Sequence, residues 1–196
     1  MGGLYRFKLA GPFMLPAGET LTLPFAAPQI SEFTRYATLG NDNQNWRYDS
    51  FQARSSGVLE RGYRFRVSQN LPGGLITVRD EGRVAGQAEL TETASGQLVE
   101  LMLGRDPDVR YTRSAELIGT ERRSNPSRDI DTYRVSYTFE SSKAVAWPVE
   151  VSDYFRARTL KFDGAELSGN GYATTTAIVP AGGKVTKTFT VVLNNE

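Results

Sequence analysis

The chain has 196 residues, 23 basic and 22 acidic side chains, a net charge of +1, and neither cysteine nor histidine. That composition excludes an imidazole base, Ser-His-Asp and Cys-His catalysis, internal disulfides, and the ordinary zinc, haem and iron–sulfur sites. Hydrophobic residues make up 39% of the sequence, enough for a core, and a pI near 7.9 gives no drive toward a polyanion.

From the N-terminus, Met1-Gly2-Gly3-Leu4-Tyr5-Arg6 lacks a basic segment followed by an apolar one. The start reads equally as natural or as the front of a segment trimmed from a longer exported protein. No apolar run has the length of a membrane span. Leu15-Pro16-Ala17-Gly18 is a turn leading into a strand. Trp46 and Tyr48 follow the polar run Asn41-Asp42-Asn43-Gln44-Asn45 and, two apart, share one strand face. Tyr63-Arg64-Phe65-Arg66-Val67-Ser68 alternates apolar and polar, the pattern of a half-buried strand. Leu98–Leu103 is a further strand. Ser114–Glu121 comes nearest to a helical period, and Gly119 weakens it. Tyr133–Glu140 and Val145–Val151 alternate again, and Val185–Leu193 is rich in β-branched residues. Pro148 lacks an N–H, which places Val145–Val151 at a sheet edge or a bulge. Trp147, in phase with Val145, Val149 and Val151, points inward.

Turns punctuate these runs at Pro72-Gly73-Gly74, Asp80-Glu81-Gly82, Ser95-Gly96, Asn170-Gly171 and Pro180-Ala181-Gly182-Gly183. Asn170-Gly171 is the strongest hairpin signal. About a dozen short strands follow, natural for two sandwiches. Leu15–Phe25 aligns without gaps to Val179–Phe189, both reading apolar-Pro-Ala-Gly, two residues, aliphatic-Thr, two residues, Phe. This is a turn-plus-strand device used twice. The expected architecture is all-β: two packed antiparallel, immunoglobulin-like β-sandwich domains over residues 1–104 and 105–196. The boundary lies before the polar stretch Arg105-Asp106-Pro107-Asp108, with no flexible linker.

Leu71-Pro72-Gly73-Gly74-Leu75-Ile76-Thr77-Val78, Gly86–Leu90, Gly96–Val109, Tyr133–Phe139, Pro148–Asp153 and Val179–Gly183 occur in order. Together they resemble the C-terminal β domain of the mucoidy-inhibitor-A-like family, a domain of unknown function. The resemblance covers Leu71 to Leu193 and consists of β segments without a catalytic signature. It implies a β domain and an exported setting. It carries no functional residues, and the helical region common upstream in that family is absent.

Candidate chemistry is sparse. Of the 23 basic residues five are lysine, leaving 18 arginines spread from Arg6 to Arg158 and interleaved with acids. That is a solvated pattern and not a nucleic-acid footprint. Asp106/Asp108 and Asp129/Asp131 are i,i+2 pairs of the kind glycoside hydrolysis needs, but turn roles account for them. Calcium would suit Asn41–Asn45 or Asp106 with Asp108, though neither has an EF-hand pattern. Trp46 and Tyr48 could stack on a sugar or a partner, with core packing the simpler explanation. The lysines Lys8, Lys143, Lys161, Lys184 and Lys187 sit in no Ser-x-x-Lys motif.

The expected function is therefore a non-catalytic binding or structural module of the cell envelope, periplasmic or at the cell surface. It needs no cofactor and no metal. Its partner is a protein or envelope polymer, with no nucleic acid and no membrane-spanning segment. The expected contact is the edge carrying Trp147, Pro148 and Glu150, joined by Trp46 and Tyr48, and an open edge also allows a homo-oligomer. The alternative is a carbohydrate-binding domain or a carboxylate-dependent glycan-active enzyme.

Overall fold

A computed structural model describes residues 11–12, 14–20, 28–39, 54–80, 82–125, 129–155, 157–168 and 171–194. The described residues form eleven strands and no helix: β1 (Ile30–Thr38), β2 (Arg54–Val67), β3 (Gly74–Asp80), β4 (Arg83–Leu90), β5 (Leu98–Glu121), β6 (Ile130–Ser141), β7 (Trp147–Tyr154), β8 (Thr159–Asp163), β9 (Glu166–Ser168), β10 (Tyr172–Val179) and β11 (Lys184–Asn194). The chain is all-β, as its period-two patterning requires. Nine strands make one mixed sheet in the order β8-β11-β6-β5-β2-β1-β7-β10-β9, and β3 and β4 form a separate hairpin.

The chain divides into two compact units, residues 1–34 with 63–101 and residues 35–62 with 102–196. One chain crossing between the units lies between Leu101 and Met102. The units are not contiguous in sequence, however, because β1, β2 and β5 each begin in one unit and end in the other. The polar stretch Arg105–Asp108 is thus no linker. It lies inside the 24-residue β5, where Gly104 takes a φ of +80° that bends the strand without ending it.

In the first unit the inward phase of β2 and β4 supplies the core: Tyr63, Phe65, Val67, Ala88 and Leu90, with Val99 and Leu101 of β5. Tyr63 donates from its hydroxyl to Asp80 at 2.7 Å, and Phe33 packs on both Tyr63 and Phe65.

In the second unit the alternation is strict. Val135, Tyr137 and Phe139 of β6 face inward with Phe189, Val191 and Leu193 of β11. Trp147, Val149 and Val151 of β7 and Ala173, Ala177 and Val179 of β10 enter the same core. β6 and β11 pair along their whole lengths. Val191 is fully buried, and burying a Val-sized side chain stabilises by about 1.5–3 kcal/mol. The Gly171 turn joins β9 to β10 as the sequence predicts, with φ +88°. The repeated device also holds at its turns. The N–H of Glu19 donates to the Pro16 carbonyl at 3.2 Å, and the N–H of Gly183 donates to the Pro180 carbonyl at 3.1 Å. The strand half of its first copy falls outside the described residues.

β7 is not an edge strand. It pairs with β10 from Trp147↔Val179 to Tyr154↔Tyr172 and lies parallel to β1 at Ala37↔Val149. Pro148 is accommodated because the parallel ladder is a single register pair, so few hydrogen bonds are demanded beside it. The strands at the ends of the sheet are β8 and β9.

Candidate functional site

Three arrangements carry chemistry. The first lies in the second unit around Asp106. Both alternations in β5 are regular, with Val99 and Leu101 buried before Gly104 and Val109 and Tyr111 buried after it. These four positions share one parity on both sides of Gly104, and Asp106, of the opposite parity, is buried between them at 1% exposure. Its carboxylate accepts from Arg61 Nε at 3.0 Å and from Lys143 Nζ at 2.8 Å. Burial opposes ionisation of Asp106, but the two cations outweigh it and hold its carboxyl below the ordinary value. Lys143 Nζ also stands 4.4 Å from the centre of the Trp147 ring, and Arg35 lies 5.8 Å from it. The Lys143 carbonyl accepts from Gly182 N–H at 2.9 Å. One lysine therefore ties β5, the β6–β7 loop and the β10–β11 turn together.

This cluster answers the catalytic expectations chemically. Lys143 Nζ is engaged by the Asp106 carboxylate at 2.8 Å and rests on the Trp147 ring, so it is not placed as a base for Ser141 or Ser142. Asp106 is already neutralised by two side-chain cations, which would repel calcium. Asp108, with a side chain 54% exposed, accepts from the Ser142 hydroxyl at 3.0 Å. Asp129 accepts from Arg123 N–H and Asp131 from the Thr120 hydroxyl, both at 2.7 Å, pinning the β5–β6 connection. Among the described residues no group of three or more His, Cys, Asp or Glu side chains has metal-binding geometry, and no helix is long and apolar enough to cross a membrane.

The second arrangement is a buried polar triad. Asp153 Oδ2 accepts from Arg113 Nε at 2.6 Å and from the Tyr137 hydroxyl at 3.0 Å. Burial raises the Asp153 carboxyl against the pull of Arg113. Burial is the largest single influence on Arg113 and lowers it, but Asp153 and Tyr137 together outweigh it and hold the guanidinium above its ordinary value. Burial, then the charge of Asp153, pushes the Tyr137 hydroxyl far up. No motif in the sequence announces this triad. The available signal was phase: Asp153 follows Val149 and Val151, and Arg113 follows Val109 and Tyr111, at core positions of their strands.

The third is an apolar cleft of about 470 Å³ in the first unit. Ile30, Phe65, Val67, Leu71, Leu75 and Leu90 contribute to its lining, and among the described residues no lining side chain is polar. Leu75 and Ile30 at its rim are 73% and 53% exposed. The volume and lining are those of an ordinary ligand or side-chain pocket. The segment entering β3 is held by reciprocal backbone bonds between Leu71 and Thr93, at 2.8 and 3.0 Å. β3 pairs only with β4 among the described residues, and its other edge lies beside the cleft.

Of the residues expected at a binding edge, Trp147, Pro148 and Glu150 are described, and they do not share one exposed face. Trp147 is 6% exposed and belongs to the core, so it cannot be part of an exposed contact. Pro148 and Glu150 lie half-buried on the opposite face of β7, across from Ile178 and Thr176. Trp46 and Tyr48, with the Asn41–Asn45 run, lie outside the described residues.

Comparison with protein-family models finds no match, and neither do comparisons with curated proteins and with solved structures.

Proposed function

We propose that the chain is a non-catalytic binding or structural module of the cell envelope, acting in the periplasm or at the cell surface. Its partner is a protein that presents an extended segment with an apolar side chain to the cleft of the first unit. The observation that carries this reading is the cleft itself, apolar throughout and rimmed by exposed Leu75 and Ile30. The edge of β3 away from β4, which has no ladder among the described residues, would offer main-chain donors and acceptors to an added strand, while the cleft selects its side chain. The occupied state of Asp106, Asp129 and Asp131 supports the absence of catalysis. The β segments from Leu71 to Leu193 support kinship with the mucoidy-inhibitor-A-like family and, through it, an exported setting. An immunoglobulin-like sandwich is the form we propose for the second unit, whose core draws on β6 and β11 and on β7 and β10.

A second reading, a carbohydrate-binding domain, is favoured by one feature. On the outward phase of β5, β6 and β11 the registers align Thr112, Thr138 and Thr186 in one row and Ser114, Ser136 and Thr188 in the next. The Thr138–Thr186 and Ser136–Thr188 hydroxyls stand 2.9 Å apart. Such a polar outer face is also what a solvated antiparallel sheet presents.

Amide NMR titration separates the readings. Short extended peptides with a central Leu or Phe should shift Ile30 and Leu71–Ile76, and Leu75→Glu should remove the response. Shifts confined to the hydroxyl rows on adding oligosaccharides would replace this reading with the second. Turnover of a glycan or ester that Asp106→Asn or Asp129→Asn abolishes with the fold intact would establish the enzyme alternative instead.

A further inference from the structure

We infer that the free edge of β8 pairs with β8 of a second copy of the chain, antiparallel and centred on Phe162, to form a two-fold dimer. β8 ends the nine-stranded sheet, and its only ladder among the described residues is with β11. An end strand presents unpaired N–H and C=O groups that another strand can take up. Which strand fits is decided by register.

Thr159, Lys161 and Asp163 occupy the outward phase of β8, and Leu160 and Phe162 the inward phase. Toward β11, Lys161 faces Val192 and Asp163 faces Thr190. Neither charge has an ion-pair partner among the described residues. Antiparallel pairing centred on Phe162 places Lys161 opposite Asp163 of the second copy, and Asp163 opposite its Lys161, giving two complementary pairs about the two-fold axis. Phe162 then meets Phe162 of the second copy on the inner face. That ring is half-buried and already packs against Phe155 at 5.4 Å and Phe189 at 6.4 Å, so the added ring would extend an existing aromatic cluster.

Other registers fail on the same residues. Centring on Lys161 sets that lysine opposite itself. A slip of one residue turns Phe162 of the second copy to the solvent face. A lone edge lysine ordinarily guards a strand against pairing, and Asp163 two residues on removes that guard in one register only. An isologous contact of this kind closes on itself at two copies. It uses the second unit and is independent of the cleft.

Sedimentation equilibrium on the full chain tests the inference. The wild type should dimerise, and Lys161→Glu should weaken the dimer by about tenfold or more, because two attractive cross-strand pairs become repulsive. The double exchange Lys161→Asp with Asp163→Lys should restore the wild-type constant. Both positions are exposed, and thermal melting of each variant confirms that the fold is kept. Carbodiimide coupling of mixed isotope-labelled and unlabelled chains should join Lys161 of one copy to Asp163 of the other. A wild type that stays monomeric into the high micromolar range, or a dimer indifferent to Lys161→Glu, would overturn the inference.

Discussion

Asp106 Oδ2 and Lys143 Nζ stand 2.8 Å apart, with the carboxylate shut off from solvent and the same lysine resting on the Trp147 ring. The contact joins a bend in the longest strand to the loop that opens β7. It gives the polar stretch Arg105–Asp108, at the expected domain boundary, a place inside a continuous strand.

Asp106→Asn should lower stability by about 3 kcal/mol, the low end for breaking a buried pair, because Lys143 and Arg61 keep some contact with water. The pH dependence has a definite sign. The folded carboxyl titrates below its ordinary value of 3.8, so its stabilisation is complete above that value and is lost as pH falls through the lower folded one. Urea titrations between about pH 2 and 5 should show a steeper acid loss for the wild type than for Asp106→Asn. Parallel curves would mean that Asp106 does not govern the acid limb.

Trp147→Ala should cost about 3–5 kcal/mol, the range for emptying a large aromatic site. Part of that loss comes from the cations of Lys143 and Arg35, which lose the ring beneath them. Chemical denaturation provides the measurement. A loss under about 0.5 kcal/mol would contradict the burial of the indole.

Much of this was legible from the sequence. Period two gave Tyr63-Phe65-Val67, Val135-Tyr137-Phe139 and Val145-Trp147-Val149-Val151 as inward sets, because side-chain direction in a strand is a local property; Val145 alone departs, 57% exposed before β7 begins. The Gly171 and Gly182 turns were equally local. What escaped was nonlocal or phase-breaking. Pro148 suggested an edge, but β7 finds its second neighbour in β1, from the far end of the chain, and no local pattern announces that pairing. Asp106 sits out of phase with Val99, Leu101, Val109 and Tyr111, so alternation alone would turn it outward. Arg113 and Asp153 were visible as polar residues in core phase, yet each makes sense only once the other strand is known.

Gly62 has a different kind of role. A Cβ built there would come within 2.5–2.9 Å of the Tyr36 ring, which lies over the glycine and is itself buried. Gly62→Ala must push that ring aside, at about 1–3 kcal/mol for overpacking. The Tyr36 hydroxyl contact to Met102 Sδ, at 3.9 Å, would go with it. Gly62→Ala with Tyr36→Ala should be less destabilised than the sum of the two single variants, a coupling that a double-mutant cycle reads directly.

The triad of Arg113, Asp153 and Tyr137 gives the sharpest contrast between removing one partner and removing both charges. Asp153 and Arg113 lie almost wholly out of solvent, and Asp153 Oδ2 receives both bonds. Asp153→Leu leaves a guanidinium in the core opposite an alkyl group, and Arg113→Met leaves a carboxylate there with only the Tyr137 hydroxyl. Each should cost about 3–5 kcal/mol. The double variant Arg113→Met with Asp153→Leu removes both charges and replaces them with apolar groups among Val109, Val151 and Tyr137. Desolvating two ions offsets much of their attraction, so this variant should lie within about 2 kcal/mol of the wild type and above either single variant. Tyr137→Phe, which deletes one neutral donor to a charged acceptor, should cost about 1.5–3 kcal/mol. The variants also differ in pH response. Burial raises the folded Asp153 carboxyl, so ionising it disfavours the folded state at neutral pH relative to acid, opposite in sign to Asp106. Removing Arg113 strengthens that trend, so Arg113→Met should gain relative stability as pH falls through the raised carboxyl, while the double variant should not. Equal losses in the single and double variants, with no difference in their pH response, would show that the two charges are not coupled across the core.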